Sequence, residues 1–110
     1  MQPFMLEVDV HTAKAWLDKE EAVLIDVREP SEYEEARIAK AVLIPLATIT
    51  VEKLPTLKLG QKVIVQCARG VRSARAIEKL SAADPEWRMY NLRGGISEWI
   101  QLGLPVIKGK

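Results

Sequence analysis

The chain is short of the residues that most readily build a site by themselves. It holds one cysteine, Cys67, and one histidine, His11, in 110 residues. A single thiol excludes a disulfide within the chain, and a dithiol redox cycle would need a resolving cysteine from elsewhere. It also excludes a structural zinc cage, which takes about four Cys or His ligands. No metal and no cofactor are expected. A surplus of one charge is missing as well: 16 Lys and Arg face 15 Asp and Glu, for a formal net charge of +1. General nucleic-acid binders are usually strongly basic, so nucleic acid is not an expected partner. No apolar run approaches the roughly 18–20 residues that span a bilayer, so no membrane is expected. Met1 to Val10 lacks the basic flank, long apolar stretch and cleavage site of a secretion signal, and a cytoplasmic location is expected. Gly and Pro, six of each, are too few for a low-complexity chain.

What the chain does have is a globular share of apolar residues, 48%. The length suits a single domain over residues 1–110 with one core, and a monomer is the default for it. The balanced charge conceals a division. Leu17 to Ala36 carries eight acids and two bases, whereas Lys53 to Ile77 carries six bases and no acid. Cys67 lies inside the basic stretch, with Arg69, Arg72 and Arg75 within eight residues of it. Solvated surface accounts for the lysines more readily than for these arginines.

Strand and helix patterns alternate at short spacing. Asp9 can cap a helix to about Lys19, with Val10, Ala13, Trp16 and Leu17 on one face. Ala22 to Val27 is almost wholly apolar, as in a strand buried on both faces, and Glu29-Pro30 breaks it. Ser31 and Glu34 read as a capping box that opens a short helix. Ala41 to Ile44 predicts a second buried strand, stopped by Pro45. Ala47 to Leu59 is helical in parts, interrupted by Pro55. Lys62 to Gln66 predicts a third strand, Ser73 to about Ala83 a helix, and Arg88 to Leu92 a fourth strand. Gly94-Gly95 turns the chain into a last helix through Ile96, Trp99 and Ile100. This is the signature of an α/β fold: a central, mainly parallel β-sheet flanked by helices on both faces. Such sheets place their chemistry in the loops at the carboxyl ends of the strands.

Cys67 falls at one of those ends, with five residues and then Ser73 at the predicted helix start. A thiol is a weak nucleophile until it ionises, and a free one has a pKa of roughly 8.5. A loop that curls around the sulfur can aim successive backbone N–H groups at it. The following helix adds its amino-terminal partial positive charge. Gly70 lets the loop turn where a Cβ would obstruct it. Arg69 and Arg72 can add charge, favouring a thiolate and an anionic substrate beside it. The plainer reading, a small buried hydrophobe, is the common fate of a free cysteine. It leaves the glycine-bearing loop and its two arginines unexplained. His11 is remote in sequence and reads as an exposed residue of the first helix.

Three blocks now resemble the single-domain rhodanese (sulfurtransferase) family. They are Leu24-Ile25-Asp26-Val27-Arg28-Glu29-Pro30-Ser31-Glu32-Tyr33, Cys67-Ala68-Arg69-Gly70-Val71-Arg72-Ser73, and Asn91-Leu92-Arg93-Gly94-Gly95-Ile96 with Trp99 and Gly103-Leu104-Pro105-Val106. The likeness runs in the right order over nearly the whole chain. The chain departs from it at Ala36-Arg37, where many members have Gly-His, and at Lys40-Ala41, where many have Gly-Ala.

The resemblance implies that Cys67 is a nucleophile that accepts a sulfane sulfur from a small donor such as thiosulfate. The resulting persulfide is passed to cyanide, a small thiol or a protein acceptor, in two half-reactions with ping-pong kinetics. The N–H groups of Ala68, Arg69, Gly70, Val71, Arg72 and Ser73 would cradle the persulfide, and Arg69 would meet an anionic donor. Arg72 either faces substrate or turns to an acid such as Glu32. Asp26 and Arg28 lie on the functional rim, as an ion pair or as donor contacts. Two rivals stand beside this reading. A phosphatase or arsenate reductase would use a Cys-x5-Arg loop, but that position holds Ser73 and Arg72 comes one residue early. A binding module on the same fold commonly lacks the nucleophile that Cys67 supplies.

Overall fold

The computed structural model describes residues 5–86 and 88–109. Met1 to Phe4 of the amino-terminal reading, together with Trp87 and Lys110, lie outside them. Five strands form one sheet: β1 (Leu6–Val8), β2 (Ala22–Asp26), β3 (Val42–Leu43), β4 (Lys62–Gln66) and β5 (Met89–Leu92). Their order is β1-β5-β4-β2-β3, and every adjacent pair is parallel. Helices α1 (Val10–Asp18), α2 (Pro30–Glu35) and α3 (Val71–Ala83) connect strands, 3-10 turns at Leu46–Thr48 and Val51–Lys53 lie between β3 and β4, and α4 (Gly95–Gln101) follows β5.

Side chains of a strand alternate between the faces of its sheet, and two apolar layers result. Leu24, Ile64 and Leu92 point to one face, where Val10 and Ala13 of α1 meet Ile96 and Trp99 of α4. Ile25, Val63, Val65 and Met89 point to the other, under Ala76, Ile77 and Leu80 of α3. The arrangement is the expected parallel sheet with helices on both faces. The central strand is β4, and its carboxyl end delivers Cys67.

Some expectations shift. β1 has no counterpart in the sequence reading; it is three residues long and pairs with β5 alone, in the register Leu6 to Tyr90. The predicted strand Ala41–Ile44 contracts to Val42–Leu43 at the sheet edge, where Val42 is exposed, so that it lacks the two-sided burial of β2. The stretch after Pro45 is helical in parts, as two separate 3-10 turns that both precede Pro55. Asp9 caps α1 as expected, accepting from Thr12 N at 2.8 Å. Helix α2, however, starts two residues early: Glu29 is the cap, Pro30 is the first helical residue, and Glu32 Oε1 accepts from Glu29 N at 2.9 Å. Proline fits there because its fixed φ suits the helix and the missing N–H would have no intrahelical partner.

The two departures from the family pattern fall at defined places in the fold. Arg37 pairs with Ile107 in a short antiparallel bridge, N–H to carbonyl in both directions at 2.8 and 2.7 Å. Its guanidinium lies 5.1 Å from the Tyr33 ring centroid. The carboxyl-terminal segment is thereby fastened to α2. Lys40 takes φ +68°, the left-handed conformation that glycine adopts without steric cost. Lys40→Gly is therefore expected to stabilise the protein by up to about 1 kcal/mol, since strain relief outweighs the added freedom of the unfolded chain. Urea denaturation checks this, and a lower midpoint would show that the exposed lysine carries a favourable contact larger than the strain.

Candidate active site

The loop after β4 is tighter than the sequence predicts. Helix α3 begins at Val71, two residues before Ser73, so only Ala68, Arg69 and Gly70 separate it from Cys67. Gly70 sits at φ +104° as the helix cap, a backbone position that side-chain-bearing residues rarely occupy. That turn brings its own N–H to 3.1 Å from Cys67 Sγ, and the first turn of α3 brings Ser73 Oγ to 3.4 Å. The sulfur is buried, with Cys67 1% exposed.

Burial alone would push the thiol pKa up. It is outweighed by hydrogen bonds from the Ser73 hydroxyl and from the backbone N–H groups of Ser73, Gly70 and Arg69, and the net direction is down from the ordinary value. The carbonyls of the same loop face the opposite way. Cys67 O accepts from Ile96 N and Ala68 O from Ser97 N, each at 3.0 Å. The first turn of α4 thus holds the back of the loop. This approach requires Gly95: a Cβ there would run into Cys67 O and lie 2.6 Å from Ala68 C and O.

Two ion pairs brace the rim. Asp26, wholly buried at the end of β2, accepts from Arg28 N and Nε, both at 3.0 Å, and from Nη2 at 2.8 Å. Arg28 Nη2 also donates to Ala36 O at 2.7 Å. Hydrogen-bonded on several atoms, this pair meets the condition under which buried charge is tolerated. Arg72 turns to Glu32, donating to both carboxylate oxygens at 2.8 and 2.9 Å. Because Glu32 also caps α2, this pair ties α2 to α3 across the loop. The Arg72 guanidinium holds the Glu32 carboxyl down at about 2.

The site residues named from the sequence therefore divide. Cys67, Gly70 and Ser73 meet at the sulfur, and Arg69 aims its N–H there while its side chain is exposed. Ala68 contributes its carbonyl to the α4 contact. Val71 is 63% exposed at the helix start. Arg72, Asp26 and Arg28 are engaged in ion pairs. One neighbour was not singled out: Asn91 of β5, whose side chain accepts from Ser73 Oγ at 2.5 Å and donates from Nδ2 to Gly70 O at 3.0 Å. Its signal in the sequence is a polar residue between Tyr90 and Leu92 in an otherwise apolar strand. Alternation sends it to the same face as Cys67. Among the described residues no His, Cys, Asp and Glu side chains gather into a metal site, and no helix is long and apolar enough to cross a membrane.

Two outcomes follow from this geometry. Gly95→Ala is expected to lower stability by about 2–3 kcal/mol, because backbone on both sides must shift. An unchanged urea midpoint would mean that the contact between α4 and the loop yields at no cost. For Glu32, the folded-state pKa lies below the ordinary 4.5, so the stabilised form is the carboxylate. Its contribution is complete above 4.5 and is lost as pH falls through about 2. Glu32→Gln should then show a shallower loss of stability over that acid range than the parent. Parallel acid profiles would deny the ion pair a role. The pair is a third exposed on each side, so solvent screening keeps the effect modest.

Comparison with known proteins agrees with this architecture. Residues 9–102 match the model of the rhodanese-like domain. A sulfurtransferase of Allochromatium vinosum is 32% identical over 90 residues, covering 82% of each chain. The thiosulfate sulfurtransferase GlpE of Vibrio cholerae is 28% identical over 101 residues, covering 92% of this chain and 93% of its own. The crystal structure of a rhodanese-related protein from Thermoplasma volcanium superposes with a TM-score of 0.74 at 31% identity, over 93% of this chain and 97% of that one. The chain spans 48% of the length of a Synechocystis relative that is 35% identical over 88 residues. With a match over most of its length and a relative of this similarity, the chain belongs to the rhodanese-like domain family.

Proposed function

We propose that the protein is a sulfurtransferase in which Cys67 carries the sulfur as a persulfide. The observation that carries this reading is a buried thiol, pulled below its ordinary pKa by one hydroxyl and three backbone N–H groups. In the first half-reaction the Cys67 thiolate attacks the outer sulfur of a donor such as thiosulfate. A sulfur–sulfur bond forms to Cys67, the bond to the sulfite group breaks, and sulfite leaves with its electron pair. In the second, cyanide or a thiolate acceptor takes the outer sulfur and returns the Cys67 thiolate. The acceptor thiol is either small or carried by a protein.

Arg69 is the cation that meets the donor, since its side chain is exposed while Arg72 is committed to Glu32. The N–H groups of the loop hold the anionic outer sulfur. Asp26, Arg28 and Arg72 support the loop and do not touch substrate. Residues 1–110 act as one domain, and the monomer is the working unit. A tetrahedral oxyanion is a poorer fit. Three residues between cysteine and helix make a narrow cradle, and the arginine that would grip a phosphoryl group is already paired. The intact thiol cradle speaks against a module that only binds partners.

Intact-mass measurement tests the proposal. Thiosulfate is expected to add one sulfur atom to the protein, cyanide to remove it, and Cys67→Ser to take up none. Sulfur loading of the Cys67→Ser variant, or none on the parent, would overturn the assignment.

A further inference from the structure

We propose that Asn91 is a positioning residue for sulfur transfer: it competes with the Cys67 sulfur for the single proton of the Ser73 hydroxyl. The inference rests on Cys67 being the sulfur carrier.

The argument begins with the orientation of the Asn91 amide. Gly70 O can only accept, so the group 3.0 Å from it must be the Asn91 NH2. The amide oxygen then faces Ser73 Oγ at 2.5 Å. An amide oxygen can only accept, so this short contact needs the Ser73 proton. The same Ser73 Oγ stands 3.4 Å from Cys67 Sγ. While Cys67 is a thiol, all three groups are satisfied in one direction: S–H to Ser73 Oγ, and Ser73 O–H to Asn91 Oδ1. Once the sulfur is anionic it has no proton to give and seeks one. Ser73 can then turn its hydrogen to the sulfur, leaving Asn91 Oδ1 without a donor, or keep it on Asn91, leaving the sulfur with backbone N–H groups alone.

Ser73 and Asn91 are both buried, 0% and 5% exposed, so water has little access to replace the lost partner. Asn91 thereby holds the anion short of full stabilisation. That suits a carrier that must attack its donor to take up sulfur, because a thiolate held at very low pKa is also a weaker nucleophile. The remaining charged groups around the sulfur are Arg72 of α3, neutralised by Glu32 of α2, the buried Asp26–Arg28 pair after β2, and the exposed Arg69 of the loop. None of these contacts either Ser73 Oγ or Asn91.

The test is the pH dependence of Cys67 alkylation by iodoacetamide, which reads the thiol pKa without any sulfur donor. Ser73→Ala should raise the pKa. Asn91→Leu should lower it by about half a unit, equivalent to about threefold more thiolate at a pH below both values. In the Ser73→Ala background the same Asn91→Leu change should shift nothing. A residue that merely braced Gly70 would raise the pKa when lost, with or without Ser73, and that result would overturn the proposal. Asn91→Asp covers the case in which the apolar variant does not fold. It should raise the pKa more with Ser73 present than absent, and an equal rise in both backgrounds would overturn the proposal too. Sulfur loading of the parent protein, followed by mass, separates the two ideas. Normal loading with a failed alkylation cycle rejects the role of Asn91 alone. Absent loading with the expected cycle rejects the carrier reading, and with it the role in sulfur transfer, and leaves only the competition for the Ser73 proton.

Discussion

The two hydrogen bonds from Ile96 N and Ser97 N to Cys67 O and Ala68 O set the chemistry of the cysteine loop. In a trans peptide the carbonyl and the N–H point in opposite directions. Fastening the Ala68 carbonyl to α4 therefore turns the Arg69 N–H away from α4, toward the sulfur. Gly70 then reverses the chain so that its own N–H reaches the same atom. Beside the Ser73 hydroxyl, the sulfur is served by backbone N–H groups, which no side-chain motion can withdraw. The cost is a backbone contact so close that position 95 has no space for a Cβ.

Charge follows a similar economy. The basic stretch around Cys67 suggested a broad positive field, but the fold pairs off part of it. Within it Arg72 is matched by Glu32, an acid from the opposing stretch, and inside the acidic stretch Arg28 is matched by Asp26. The near-balance of the composition thus reappears at the rim as specific pairs, while Arg69 keeps its side chain exposed. The acidic segment serves in part as the frame that holds the basic loop in shape.

The parallel sheet and the strand-end position of Cys67 were legible because buried strands such as Ala22–Asp26 and Lys62–Gln66 leave short, continuous apolar runs. The three resemblance blocks placed the loop. Other features left weaker traces. β1 is too short to show a period, and it exists because β5 offers an edge to pair with. Glu29 outcompetes Ser31 as the cap of α2 because Pro30 is best placed at the first helical position and Glu32 bonds back to Glu29 N. The start of α3 at Val71 depends on the left-handed turn at Gly70, whose extent no local preference announces. Asn91 belongs to the site only through the register of β5 beside β4, which sets Asn91 opposite Val65. Such neighbours are a property of pairing and cannot be read from one segment.

The pairing of β1 with β5 has a consequence in time. Chains are made from the amino terminus, and folding of a unit waits for its last element. Here the first strand has its sheet partner in the last, and Asn91, Ile96 and Ser97 all follow Cys67 by twenty residues or more. Until β5 and α4 dock, the cysteine is an ordinary thiol in an open loop, protonated at neutral pH for the most part. On a growing chain the thiol is made early and its hydrogen-bonding surroundings late. The topology thus separates in time the making of the thiol from the assembly of the hydrogen bonds that lower its pKa.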